Sequence, residues 1–286
     1  MRRGTMYQGR DELDIIQEDI RRAMRKPNPQ WGMLIDLRRC IGCQACTVGC
    51  ISEQKTPPGV IYRPVYEEEF GQFPHVRRRF TPRPCMQCDN PPCVAACPNK
   101  GENGATWKGQ DGVVRINYEQ CIGCGRCGIA CPYKALSLYD EPVYTENTPG
   151  EQAYEKGPSW EYGRKWLREA HHLPVGNARK CHFCLHRLRK GMVPMCVSTC
   201  IARANIFGDL SDPQSLISQM LKTHRVHVLR AVRTPGETPT TPAQLRGISP
   251  DALAKRTGYP GKVPVFAESA PTRPRVFYIL PEEAAK

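Results

Sequence analysis

The sequence lacks a hydrophobic run long enough to cross a membrane. Its longest apolar segments are short pieces such as residues 276–280, whereas a helix that spans a bilayer needs roughly 20 consecutive apolar residues. The pair Arg2-Arg3 is followed by a polar stretch without the apolar core of an export signal. We therefore expect no transmembrane span and no targeting signal in the chain itself, although it could leave the cytoplasm folded and bound to a partner that carries one.

The sequence also lacks the motifs of a catalytic site. It contains no phosphate-binding loop, no dinucleotide-binding fingerprint and no convincing nucleophile with its base. Aromatic residues make up only 8% of the chain, and its 27 prolines and 24 glycines indicate a loop-rich globular protein. We predict that the chain is not itself an enzyme.

Cysteine is the residue that the chain has in excess, and its 16 cysteines fall into four groups of four with no remainder. Groups one and three share the spacing C-x2-C-x2-C-x3-C, while the middle gap grows to four residues in group two and to eleven in group four. In chain order, the groups are Cys40, Cys43, Cys46 and Cys50; Cys85, Cys88, Cys93 and Cys97; Cys121, Cys124, Cys127 and Cys131; and Cys181, Cys184, Cys196 and Cys200.

This spacing is typical of loops that bind [4Fe-4S] clusters. Three thiolates two residues apart on one tight loop can reach three corners of an iron-sulfur cube, and the fourth, a helical turn further on, ligates the neighbouring cluster in two-cluster ferredoxins. The repeated Cys-Ile-Gly-Cys at 40–43 and 121–124 marks an internal repeat, and an apolar segment predicted to be a strand precedes each copy, at 33–37 and 113–118. We therefore predict four [4Fe-4S] clusters in two bicluster modules.

Other uses of the cysteines fit the spacing less well. Zinc ribbons use paired C-x2-C knuckles, which could describe groups two and four but not groups one and three. A disulfide framework would not explain the C-x2-C-x2-C-x3-C pattern. Covalent haem attachment needs a histidine directly after the second cysteine, where group four has Leu185.

The four groups, with the long gap in the fourth, resemble the electron-transfer subunits of the molybdopterin oxidoreductases. That family includes the iron-sulfur subunits of dimethyl sulfoxide, polysulfide, thiosulfate and tetrathionate reductases, sulfite dehydrogenases and respiratory formate dehydrogenases. The resemblance covers about residues 31–212. Its signatures are Cys-Ile-Gly-Cys at 40–43 and 121–124, Cys-Met-Gln-Cys-Asp-Asn-Pro-Pro-Cys at 85–93 and Ile-Phe-Gly-Asp-Leu at 206–210.

The resemblance implies which cysteines share a cluster, because in this family group one pairs with group four and group two with group three. The four implied ligand sets, named sites a to d, are Cys40, Cys43, Cys46 and Cys200 (site a); Cys50, Cys181, Cys184 and Cys196 (site b); Cys85, Cys88, Cys93 and Cys131 (site c); and Cys97, Cys121, Cys124 and Cys127 (site d). Some relatives carry a three-iron cluster where a tryptophan replaces a ligand of group three. Cys124 stands at that position here, so we expect four cubane clusters.

The resemblance also implies two partners and a cellular location. The chain would carry electrons between a molybdopterin-containing catalytic subunit and a polytopic, quinone-reactive membrane subunit. It would be a peripheral subunit at the prokaryotic inner membrane, with the cytoplasmic face favoured over the periplasmic face. A stand-alone polyferredoxin that serves soluble enzymes is the alternative, but a mobile carrier needs neither the long insertion nor the tail of this chain.

The charge of the chain first suggests nucleic acid, because 41 Lys and Arg residues against 28 Asp and Glu give a formal net charge of +13. Four oxidised clusters with their thiolates would lower this charge to roughly +5, and nothing in the sequence supplies a recognition helix or a stacking platform. We expect no nucleic-acid partner. Four cations near the predicted ligands are expected to raise the cluster potentials, namely Arg38, Arg39, Arg126 and Lys134.

We predict an α+β fold of two ferredoxin-like modules related by a pseudo-twofold axis, with a long insertion and an extended C-terminal tail. The expected divisions are an N-terminal docking helix or arm at 1–30, a four-cluster domain at 31–212 with its insertion at 140–179, and a C-terminal helix, strand and tail at 213–286.

Three local features accompany this division. Leu13, Ile16, Ile20 and Met24 recur at helical spacing and predict an amphipathic helix before group one. A helix is expected to start at Asp212-Pro213, and a strand is expected at 226–232. In the insertion, Trp160 and Trp166 are interpreted as packing anchors and His171-His172 as a solvated pair in preference to a metal or quinone site.

Overall fold

The computed structural model describes residues 9–56, 60–99, 104–138, 149–160, 177–233 and 263–281. Within these residues the chain forms a mixed α/β fold of short helices around one larger sheet and three two-stranded sheets. Several sequence features lie outside the described residues, namely Arg2-Arg3, Trp166 and His171-His172.

The helices are α1 (Glu12–Ala23), α2 (Ala45–Gln54), α3 (Pro92–Ala96), α4 (Arg126–Ala130), α5 (Leu185–Leu188), α6 (Met195–Ser198) and α7 (Leu216–Thr223), with a 3-10 turn at Ala153–Glu155. The strands are β1 (Trp31–Asp36), β2 (Val65–Phe70), β3 (Arg77–Pro82), β4 (Thr106–Lys108), β5 (Val114–Ile116), β6 (Ser137–Leu138), β7 (Ala178–Arg179), β8 (Asn205–Asp209), β9 (His227–Arg233), β10 (Val263–Ala267) and β11 (Val276–Ile279).

The larger sheet has the strand order β10-β9-β11-β1-β8. Strand β1 pairs in parallel with β11, with Met33 opposite Val276, and antiparallel with β8, with Met33 opposite Phe207. All six residues of β1 are buried, as expected for a strand covered on both faces. The sheet thereby joins the strand before group one, the segment after group four and the end of the tail.

Helices α1 and α7 pack on β8 of this sheet. Helix α1 lies where the hydrophobic spacing predicts it, with Ile16 and Ile20 buried. Asp19 accepts a hydrogen bond of 2.7 Å from the backbone N–H of Leu216, which ties α1 to the first turn of α7. Helix α7 starts later than Asp212-Pro213, because the side chain of Ser215 caps it by accepting from the N–H of Ser218.

The remaining elements hold the cysteine loops. Helix α2 packs on α6, which brings groups one and four together, and α3 packs on α4, which brings groups two and three together. The other two-stranded sheets pair β2 with β3, β4 with β5 and β6 with β7. In the parts of the chain that the structure describes, no helix has the length and apolar character needed to cross a membrane.

Candidate iron-sulfur cluster sites

Each cysteine group is built on a loop that runs into a short helix. Group one is typical: Cys40 and Cys43 lie on the loop after β1, while Cys46 and Cys50 lie one turn apart on α2. In groups two and three, the third cysteine lies in α3 or α4 and the fourth is the C-cap residue of the same helix. The fourth cysteine of each of these three groups therefore projects a helical turn beyond the loop that holds the other three.

The loops reach their helices through left-handed backbone conformations. Gln44, Gly125 and Cys184 are the N-cap residues of α2, α4 and α5, and their φ angles are 61°, 68° and 52°. Gly42, two residues before Gln44, has φ +70°, and a Cβ atom there would lie 2.4 Å from Cδ1 of Phe80. Glycine is required at this position both by the backbone conformation and by the contact with Phe80.

All 16 cysteines have free thiols, which excludes a disulfide framework in this structure. Eleven are buried and three are partly buried. The two exposed cysteines are Cys43 and Cys124, the second members of groups one and three.

The thiols of groups one and four lie close together in two sets. Burial raises the pKa of Cys40, and the thiols of Cys46 and Cys200 raise it further. Burial likewise raises the pKa of Cys50 well above its usual value, and here the neighbouring thiols are those of Cys184, Cys181 and Cys196. Cys50 thus faces group four, although it belongs to group one in the sequence, and Cys200 faces group one.

Groups two and three are arranged in the same way. Burial raises the pKa of Cys88 to about 12, and the neighbouring thiols that add to this are Cys85 and Cys131. Burial also raises the pKa of Cys127 to about 12, with contributions from Cys121, Cys124 and Cys97. The last cysteine of each group again lies among the first three of the other group. The four neighbourhoods match sites a to d, whose assignment as ligand sets stays a prediction.

The sites also lie next to one another. Cys196 of site b has Cys46 and Cys200 of site a among its neighbours. Cys181, also of site b, has Cys85 of site c as a neighbour. Sites c and d share the packed helices α3 and α4. The four neighbourhoods therefore follow the order a, b, c and d.

Hydrogen-bond donors point at the cysteine sulfurs. The backbone N–H of Ala204 lies 3.2 Å from Sγ of Cys200, and Nε2 of Gln54 lies 3.2 Å from Sγ of Cys184. The N–H of Ala178 approaches Sγ of Cys121 at 3.4 Å. Donors in these positions favour the thiolate form and offset the negative charge of a cluster, so the residues present fit an iron-sulfur cofactor.

The described residues do not group their thiols as a single-ion site would. Zinc binds thiolates at 2.3 Å, which in a tetrahedron puts the sulfurs about 3.8 Å apart. Among the described residues, no three His, Cys, Asp or Glu side chains stand close enough to hold one metal ion.

Two of the cations predicted to tune the clusters are already paired with carboxylates. Arg38 forms an ion pair of 2.7 Å with the buried carboxylate of Asp36, and Arg39 pairs with Glu12 at 2.5 Å. Arg126 is exposed and Lys134 is partly exposed. The tuning role of these four cations stays a prediction.

Sequence reasoning missed the buried cations beside the sites, among them Arg63 and Lys180. Arg63 is 1% exposed and Lys180 is 2% exposed. Lys180 directly precedes Cys181, so its position in the sequence could have indicated that it lies beside a cluster site. Arg63 lies between groups one and two without any motif, and only the fold brings it to the cysteines.

The exposed tryptophan of the insertion lies beside group four. Its ring stacks on the imidazole of His186, with the ring centres 5.5 Å apart and the planes 3° apart. Trp160 therefore makes a packing contact, as predicted, although 57% of it is exposed.

Comparison with known proteins agrees with the site geometry. A family model described as a 4Fe-4S dicluster domain matches residues 76–147 and 169–210. A selenate reductase subunit of Mesobacillus selenatarsenatis is 54% identical over 223 residues, which cover 77% of this chain and 75% of that protein. A tetrathionate reductase subunit of Salmonella typhimurium is 38% identical over 70% of this chain and 66% of its own length. The arsenate respiratory reductase iron-sulfur subunit of a Shewanella species is 34% identical over 68% of this chain and 88% of its own length.

Proposed function

The chain belongs to the family of iron-sulfur subunits that includes those of selenate, tetrathionate and arsenate reductases, and on this premise we propose that it carries electrons through four [4Fe-4S] clusters between two partner subunits. One partner is a molybdopterin-containing catalytic subunit and the other a quinone-reactive membrane subunit. The clusters supply one-electron transfer, and the chain holds, orders and tunes them.

The observation that supports this proposal most directly is the crossed arrangement of the cysteines. Cys50 lies among the thiols of group four, and Cys97 contributes to the neighbourhood of Cys127 in group three. We propose that sites a to d, each with the four cysteines given above, are the ligand sets. The exchange of the last cysteine between paired groups is the arrangement of two-cluster ferredoxins.

The two helix pairs support the proposed division of the chain. We propose that residues 31–212 form two ferredoxin-like modules related by a pseudo-twofold axis, because α2 with α6 and α3 with α4 repeat the same arrangement. The segment 1–30 would be a docking helix or arm. The segment 213–286 would pack on the cluster domain, a role that the pairing of β11 with β1 favours.

The exposed cysteines suggest where electrons enter and leave. Sites a and d are the outer members of the series, and they contain the two exposed cysteines, Cys43 and Cys124. Apolar side chains stand exposed beside them: Ile201 is 67% exposed next to Cys200, and Ile122 is 70% exposed between Cys121 and Cys124. Exposed apolar side chains of this kind are suited to interfaces, so we propose that one partner covers site a and the other covers site d.

The location follows from the proposed partners. The protein would be peripheral at the prokaryotic inner membrane, on the cytoplasmic face in preference to the periplasmic face. The names of the relatives suggest that the catalytic partner reduces an oxyanion such as selenate, tetrathionate or arsenate. No nucleic-acid partner belongs to this proposal.

Anaerobic affinity purification of the tagged chain from membranes tests the partners. We expect a large molybdenum-containing subunit and a polytopic membrane protein to be recovered with it, identified by mass spectrometry and metal analysis. A chain that carries its clusters but is recovered alone, at the same yield from the non-membrane fraction, would contradict the proposal and support the stand-alone polyferredoxin.

A further inference from the structure

Arg63 is a buried cation that has no carboxylate among its hydrogen-bond partners in the described residues. Its Nη2 donates to Oδ1 of Asn205, and its Nη1 donates to Sδ of Met33 at 3.2 Å. Its Nε has no partner among the described residues. A buried guanidinium is strongly disfavoured unless negative charge compensates it, and neither an amide nor a thioether provides that charge.

The negative charge near Arg63 comes from two cysteine sites. Cys196 of site b and Cys46 of site a are its strongest electrostatic neighbours, Cys46 also as a hydrogen-bond partner, followed by the phenol of Tyr278. Burial by itself would lower the pKa of Arg63, but these two thiols outweigh it and the pKa lies above its usual value. The hydroxyl of Thr47 donates to the backbone carbonyl of Arg63 at 2.7 Å, which fixes the residue beside α2.

Lys180 stands in the corresponding position between the next two sites. Its ammonium donates to two backbone carbonyls, that of Val114 and, at 2.9 Å, that of Cys181. Its charge acts on the thiols of Cys93 in site c and Cys181 in site b. Like Arg63, it is a buried cation with no carboxylate among its hydrogen-bond partners in the described residues.

We propose that Arg63 and Lys180 are intercluster cations: Arg63 raises the reduction potentials of the clusters at sites a and b, and Lys180 raises those at sites b and c. The inference rests on the proposed function, because it requires clusters at these sites. A cluster with four thiolates becomes more negative by one charge on reduction, so a nearby cation stabilises the reduced form more than the oxidised form. Burial reduces the screening by solvent and salt.

The proposal assigns site b a special place, since it lies next to both cations. An electron on site b is stabilised by Arg63 and by Lys180, whereas sites a and c each have one of them. Arg38 is the matched control. It also lies close to site a in the chain, but it is 42% exposed and its charge is balanced by Asp36 at 2.7 Å.

Redox titration followed by electron paramagnetic resonance tests this pattern in the full chain purified anaerobically with its partners. In Arg63→Gln, two of the four midpoint potentials of this chain should fall, each by a tenfold change or more in the reduction equilibrium, which is about 59 mV for one electron. In Lys180→Met, two midpoint potentials should fall as well. One cluster should have a lower potential in both Arg63→Gln and Lys180→Met. Arg38→Gln should lower at most the potential at site a, and by less than Arg63→Gln does, because Asp36 balances the charge of Arg38 and solvent screens it. The pattern identifies site b without prior assignment of the signals.

Two further variants separate charge from packing. Arg63→Lys keeps the charge and should retain potentials closer to the unaltered protein than Arg63→Gln does. Asn205→Asp keeps the arginine but places a carboxylate against it, so it should lower the same two potentials. If Arg63→Gln does not assemble its clusters, the Asn205→Asp result decides the question.

The proposal is overturned if Arg63→Gln or Asn205→Asp leaves the potentials unchanged with all clusters present, or if all four potentials shift together. Failure of the proposed function gives a different result: the unaltered chain would then contain no iron and sulfide to titrate.

Discussion

The thiol of Cys181 has the thiol of Cys85 as an electrostatic neighbour, which connects the cysteines of groups one and four to those of groups two and three. Without this proximity the cysteines would form two separate pairs of neighbourhoods. With it, the four sites form a continuous series, since Cys196 connects site b to site a and the packed helices α3 and α4 connect site c to site d.

Exchange of the last cysteine between groups can be tested by removing single ligands. Cys200→Ala and Cys43→Ala should abolish the same cluster, because both belong to site a, and each variant should lose about four iron ions per chain. Cys50→Ala should abolish a different cluster, the one that Cys184→Ala abolishes. Iron analysis and paramagnetic resonance of the four variants check this. Identical spectra for Cys50→Ala and Cys43→Ala would mean that group one holds a single cluster by itself.

Gly42→Ala should destabilise the loop of group one. The substitution forces a side chain into a backbone conformation with φ +70° and toward the ring of Phe80, so we expect a loss of about 1–3 kcal/mol and faster loss of one cluster on exposure to oxygen. The decay of the cluster absorbance measures this. Gly128→Ala is the matched control in α4, because the nearest atom to its new Cβ is the carbonyl oxygen of Leu136 at 3.9 Å. Equal decay in both variants would contradict the steric argument.

Exposed isoleucines at the two ends of the series should affect different partners. Ile201→Glu, beside site a, and Ile122→Glu, beside site d, should each weaken one intersubunit contact because a charge at an apolar interface must lose its hydration. Each variant should lose a different partner during co-purification while keeping the full iron content. If both variants lose the same partner, or neither loses any, then sites a and d are not the two contact points.

The pH dependence of stability should depend on His227 of β9. Burial lowers the pKa of this imidazole, and the nearby charge of Arg225 lowers it further. The unfolded chain therefore binds the proton more readily than the folded chain does, so the contribution of His227 is fully present above about pH 6.5 and is lost as the pH falls through the lower pKa of the folded state. The melting temperature of His227→Gln should decrease less than that of the unaltered protein between pH 7.5 and pH 5.5, roughly the range in which histidine titrates.

Circular dichroism under anaerobic conditions measures this melting temperature. His75→Gln, at the exposed turn between β2 and β3, is the control and should retain the decrease of the unaltered protein. A decrease in His227→Gln as steep as in the control would assign the pH dependence to other groups.

The cysteine groups could be predicted from the sequence because their chemistry is encoded in local spacing. The spacing of three cysteines within a loop of seven residues such as 40–46 is enough to predict three ligands, and apolar residues mark the strand before it. Helix α1 was predicted for the same reason, since Ile16 and Ile20 fix the buried face within a few turns.

The buried cations and the last strand could not be predicted in this way, because their positions depend on contacts between distant segments. Arg63 looks like an ordinary basic residue in the sequence, and only the packing of Met33 and Asn205 around it shows that it is buried. The segment 276–279 reads as an apolar stretch of the tail. Its place between β9 and β1 is set by pairing with strands far away in the chain.

Iron and acid-labile sulfide, measured per chain in the anaerobically purified protein together with zinc, test the central claim most directly. Four cubane clusters require about 16 iron and 16 sulfide ions per chain, and this is the result that we predict. Stoichiometric zinc without sulfide would contradict the claim, as would a complete preparation with only about eight iron ions, since half of the cysteine sites would then hold no cluster.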